Sequence, residues 1–95
     1  MLREPKNSAP APLVMGLLAL AHVAGDETLA SRFLALSGLD SAELRARADD
    51  PALLAAVLEL LAAHESDLVA CAAAINVTPA ELAGAARALA PEEYS

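Results

Sequence analysis

The side chains suited to chemistry are few. Cys71, His64, His22 and the adjacent acids Asp49 and Asp50 are the candidates for nucleophile, base, metal ligand and acid–base pair. A thiol nucleophile needs a base within hydrogen-bond reach. In one unbroken helix, His64 and Cys71 would stand about 10 Å apart along the axis, and only a bend at "HESD" would bring them closer. Cys71 lies among alanines and reads as a small buried hydrophobe. Two isolated histidines and a distant cysteine do not form a zinc site, which wants several ligands at defined spacing. Four scattered glycines make no phosphate-binding loop. Asp49 and Asp50 read as exposed, so burial does not tune them for acid–base work. The expectation is no catalytic residue, no metal, no cofactor and no enzyme.

The next candidate is a corner. Residues 75–82 read "INVTPAEL", and residues 37–44 read "SGLDSAEL". Each holds a residue tolerant of positive φ, then an apolar residue, an N-cap and a Glu three places on. Ala72, Asn76 and Leu82 have the spacing of a steep helix–turn–helix crossing, which is a packing property. DNA recognition also needs side chains for phosphates and base edges. The second helix, "PAELAGAARALA", offers only Arg87 as a cation, with Glu81 inside it and Glu92 and Glu93 beyond. The corner therefore reads as structural. The alternative is a helix-turn-helix nucleic-acid-binding regulator using residues 67–90.

Composition sets the elements around these residues. Ninety-five residues make one small domain. The chain is 57% hydrophobic but only 2% aromatic, and its apolar content is mostly Ala and Leu, which are strong helix formers. This predicts an all-α protein, a compact orthogonal bundle of five to six short helices. The net charge is −7, and no Lys or Arg occurs between Ala48 and Ala86. Nucleic acid is disfavoured as a partner, because affinity for it rests on neutralised phosphates. Most of the acids stand where helices should start, where carboxylates cap free N–H groups and complement the dipole.

A lone cysteine suits a reducing cytoplasm. Arg3 and Lys6 precede the uncharged run "NSAPAPLVMGLLALAHVAG", which is compatible with a signal peptide, although cleavage after residue 24 would strip a helix from the core. Pro10, Pro12, Gly16 and His22 interrupt that run and argue against a membrane span.

The organisation follows: a disordered arm over residues 1–11, one helical domain over 12–90 and a frayed tail over 91–95. The first helix should run from Pro12 to about Ala24, burying Leu13, Leu17, Leu20 and Ala24, with Gly25 as its stop. Asp26 caps the second, which places Leu29, Phe33 and Leu36 on one face and ends at Gly38. Asp40 and Glu43 form a capping box for a short third helix that closes near "ADD", with Leu39 and Leu44 as its staple. Asp50 and Pro51 open the fourth, whose Leu54, Leu58 and Leu61 stripe lies beside Leu53, Val57 and Leu60 and marks it as central. Ser66 is the N-cap candidate for a fifth helix ending at Asn76, and a break between the fourth and fifth is left open. Thr78 and Glu81 box the sixth, with Val77 and Leu82 as its staple.

What remains is interaction surface. The first helix is apolar nearly all round, so Val14, Met15 and Leu18, opposite the expected core stripe, form the candidate surface. The expected occupant is an unidentified protein partner or a second copy in a homodimer, with no membrane involved.

"RFLALSGL" at Arg32–Leu39, "DPALLAAVLELL" at Asp50–Leu61, "HE" at His64–Glu65 and the corner at Val77–Leu89 resemble a family of short, mostly alphaproteobacterial proteins classed as an all-helical domain of unknown function. The resemblance covers about residues 13–90. Leu53 departs from it where the pattern has its second aromatic, and Asn76 where the pattern has Gly. It implies a fold and a chain that starts before the first helix, and it brings no catalytic or binding residue.

Overall fold

Prolines and short side-chain oxygens fix where most of the helices begin. The computed structural model describes residues 10–90, and among these there are six α-helices and no strand. They are α1 (Pro12–Ala24), α2 (Glu27–Ser37), α3 (Ser41–Ala46), α4 (Pro51–Ala62), α5 (Glu65–Ile75) and α6 (Pro79–Leu89). The expected N-terminal arm, apart from Pro10 and Ala11, and the expected tail lie outside the described residues.

Asp26 accepts from the Leu29 amide at 3.0 Å and opens α2. Asp40 with Glu43, and Thr78 with Glu81, close complete capping boxes on α3 and α6. Asp50 accepts from the Ala52 amide ahead of Pro51 and opens α4. Each pairing satisfies amides that the first helical turn leaves free.

α5 breaks this pattern. The chain does leave the helix after Ala62, but the N-cap is His64, in an extended conformation and with no side-chain cap bond, rather than Ser66. Glu65 and Asp67 fall in the first turn instead, where their charge complements the helix dipole. α3 is also shorter than expected, ending at Ala46.

α4 is the central helix. It packs against α1, α5 and α6 and buries the two stripes read from the sequence, Leu53, Leu54, Val57, Leu58, Leu60 and Leu61, together with Ala55. α6 adds Leu82, Ala85 and Ala86 to this core, and α5 adds Cys71 and Ala72. α2 rests mainly on α1 and buries only Leu29 and Phe33. Leu36, expected on that buried face, is 72% exposed, because the end of α2 runs out past the core. α3 buries no residue fully, and Leu39, Leu44 and Ala48 lean on the core from its edge.

Successive helices turn steeply. α1 and α2 meet at a 110° bend, and α5 and α6 at 101°. An Arg32–Asp67 ion pair at 2.9 Å ties α2 to α5 across the fold. The result is the orthogonal all-α bundle that the composition predicts.

Candidate interaction surface

The surface is built on α1, a helix with no Asp, Glu, Lys or Arg and apolar side chains on every side. Its orientation is fixed by one glycine. A Cβ at Gly16 would lie 2.8 Å from the Leu54 Cβ, so α1 can seat against α4 only because position 16 has no side chain. The face around it, Met15, Gly16, Ala19, Leu20 and Val23, is therefore the buried one.

Two sequence expectations change. Met15, assigned to the outer surface, is a core residue only 3% exposed. Leu13 and Leu17, assigned to the core, are 44% and 43% exposed, and Ala24 is exposed with them. The expected stripe lies about 100° around the helix from the true core face, and only Leu20 belongs to both. Val14 and Leu18 are exposed as expected, at 45% and 39%. Leu13 and Leu17 were legible as apolar but not as exposed, since no polar residue on α1 marks its outer side.

The Leu13–Leu17–Leu20–Ala24 stripe leads into a groove. Leu20 and Ala24 of α1, Ala30 and Leu34 of α2, and Leu44 and Ala48 at α3 line a cleft of about 410 Å³, with Ser41 and Arg45 as its polar rim. Alanines at three of the lining positions leave the space open. One end of the stripe is thus an exposed leucine ridge, and the other forms a wall of the groove.

The remaining candidates are dispersed. Cys71 is fully buried, and burial pushes its thiol up to about 11, which disfavours the thiolate a nucleophile needs. His64 sits exposed at the start of α5, and His22 is half-buried on α1. Among the described residues, no group of three or more His, Cys, Asp or Glu could hold a metal ion. Asp50 is lowered by its bond from the Ala52 amide and then by Arg47, whose guanidinium donates to it at 3.0 Å. Its carboxylate serves as the N-cap of α4.

The α5–α6 corner has the expected geometry. Ala72 and Leu82 are fully buried, and Asn76 is left-handed at φ 68°. Val77 donates to the Ala72 carbonyl at 2.9 Å, closing a Schellman motif.

A family model described as "Protein of unknown function (DUF3572)" matches residues 10–92. The chain belongs to this family. No curated protein and no solved structure matches it. The DUF3572 match takes in all six helices together with the ridge and groove, and it assigns no activity to any of them. No single helix among the described residues is long and apolar enough to cross a membrane, although the bent pairs α1–α2 and α5–α6 pass that test of length and composition when joined.

Proposed function

We propose that this DUF3572 chain is a cytoplasmic interaction module that binds a protein, either a foreign one or a second copy of itself, through the outer face of α1. The observation that carries this reading is the exposed set Leu13, Val14, Leu17 and Leu18, on a helix with no Asp, Glu, Lys or Arg and continuous with the groove beside it. Contiguous exposed aliphatic surface with a polar rim is characteristic of association sites. Burying it releases about 25 cal/mol for each Å² taken from water. No catalytic step is part of the proposal, because the only thiol is buried and the histidines stand apart.

The test is native pull-down of the tagged protein, with and without nuclease, beside a Leu18→Glu variant. The reading expects a stoichiometric protein, untagged copies included, that survives nuclease and is lost from the variant. It fails if nothing is enriched over the variant or if the enriched protein leaves with the nucleic acid.

The competing reading is nucleic-acid binding through residues 67–90, favoured by the steep α5–α6 corner. Charge weighs against it, since Arg87 is the one Lys or Arg between Ala48 and Ala90. Labelled duplex titrated at low salt, where non-specific affinity is strongest, decides it. Flat anisotropy into the tens of micromolar (about 10–100 µM) ends that reading.

A further inference from the structure

We propose that the leucine ridge and the groove on α1 are two halves of one self-complementary surface, and that the chain forms a twofold dimer through antiparallel α1 helices. This names the occupant of the face described above and rests on that reading. A closed twofold interface must be isologous: whatever one protomer inserts, it must also be able to receive. α1 meets this condition along a single stripe. Leu13 and Leu17 stand out at its N-terminal end, while Leu20 and Ala24 wall the groove at its C-terminal end. With the twofold axis near Leu17, Leu13 of each protomer faces the other's Leu20 and Ala24. Ala24, Ala30 and Ala48 leave the room a leucine side chain needs. A foreign partner would explain the ridge or the groove separately, whereas a second copy explains why both lie on one stripe.

Charge supports the same occupant. Each chain carries −7, so most ways of bringing two copies together oppose carboxylates. The α1 seam does not, because α1 carries no Asp, Glu, Lys or Arg and the one charged side chain lining the groove is Arg45 at its rim. The remaining repulsion is long-range and screened by salt, with a Debye length of about 10 Å at 0.1 M and about 3 Å at 1 M. A dimer formed here should therefore tighten as salt rises, whereas a basic partner drawn by the acidic surface would be released. α1 is about 20 Å long, so with the groove the face covers on the order of 400 Å² per protomer, about half of a standard interface. The expected dimer is accordingly weak, with a Kd in the tens to hundreds of micromolar, about 10–500 µM.

The test is sedimentation equilibrium of the full chain across that concentration range, at about 50 mM and about 1 M sodium chloride. The expected result is a monomer–dimer equilibrium whose Kd falls about fivefold or more at high salt. Leu17→Glu should weaken it about tenfold or more. Ala24→Phe, which fills the groove without adding charge, should weaken it similarly, and both positions are exposed enough for the variants to keep the wild-type melting temperature. A monomer at every concentration and salt overturns the proposal, as does a dimer indifferent to both substitutions or one that loosens with salt. If the chain is monomeric while Leu18→Glu still strips a foreign protein in the pull-down, the dimer fails and the interaction reading survives. If neither effect appears, both fail.

Discussion

The corners at Gly38 and Asn76 use the same local grammar thirty-eight residues apart and lead to opposite fates. Both preceding helices bury a residue at the matching place, Phe33 in one and Cys71 in the other. Both stop on a left-handed residue, Gly38 at φ 76° and Asn76 at φ 68°. Both following helices start on a full capping box. Yet α3 buries nothing fully, while α6 buries Leu82, Ala85 and Ala86 and packs on α1, α4 and α5. The difference begins after the shared "AEL". The first corner continues "RARA" and the second "AGAA", so Arg45 and Arg47 align with Ala83 and Ala85. Capping specifies that a helix begins, and the residues of its second turn decide whether it can enter a core. The two stops also differ: Gly38 closes a single bond to the Leu34 carbonyl, whereas Asn76 and Val77 make the paired Schellman bonds to Ala73 and Ala72.

Exchanging those residues should break the comparison most severely. Ala85→Arg imports the first corner's charge into the core, where an unpaired buried cation costs several kcal/mol or more, about 4 or above. Loss of the cooperative thermal transition is the expected outcome. The reverse change, Arg47→Ala, removes an exposed ion pair with Asp50 and should move stability by less than about 1 kcal/mol. A melt that treats the two alike would refute the account.

Next in size are the matched leucines. Leu82→Ala empties a fully buried site and should cost about 2–5 kcal/mol in urea unfolding. Leu44→Ala, at the groove edge, should cost about 1 kcal/mol or less.

The matched positions Phe33 and Cys71 separate with pH. Burial raises the Cys71 thiol from 9.0 to about 11, so the folded chain holds its proton at a pH where the unfolded chain has lost it. The neutral thiol's contribution to stability is complete below pH 9 and is lost as pH rises through 11. In Cys71→Ala that alkaline component should disappear from melting curves, while Phe33 contributes no such slope.

The caps come next. Thr78→Ala and Asp40→Ala each remove a cap worth about 1 kcal/mol locally. Thr78→Ala should lower the global transition, whereas Asp40→Ala should show mainly as faster amide exchange within α3, because α3 can open without the core. Smallest of all, Asn76→Gly relieves a non-glycine left-handed residue and should raise stability by about 0.5 kcal/mol or less.

Most of the fold was legible because its determinants are local. Asp26, Asp40, Asp50, Thr78 and the prolines at Pro12, Pro51 and Pro79 declare helix starts within a few residues of sequence, and α4 announces its centrality by two leucine stripes. The start of α5 was not legible in this way, since His64 caps it without a side-chain bond. Nor was the exposure of Leu36, which depends on where α2 ends relative to a core assembled from other helices. The candidate surface was half legible. Val14 and Leu18 were read as exposed, but Met15 was exchanged with Leu13 and Leu17, because apolar character alone does not distinguish the sides of α1.

That last point is a matter of symmetry. A helix with apolar side chains on nearly every side is close to rotationally degenerate, since burial rewards several orientations about its axis. Gly16 lifts the degeneracy through a missing methyl group, because it is the point at which α1 can touch the Leu54 Cβ. The smallest residue on the helix, contributing almost no apolar area itself, thus selects which larger ones meet the outside.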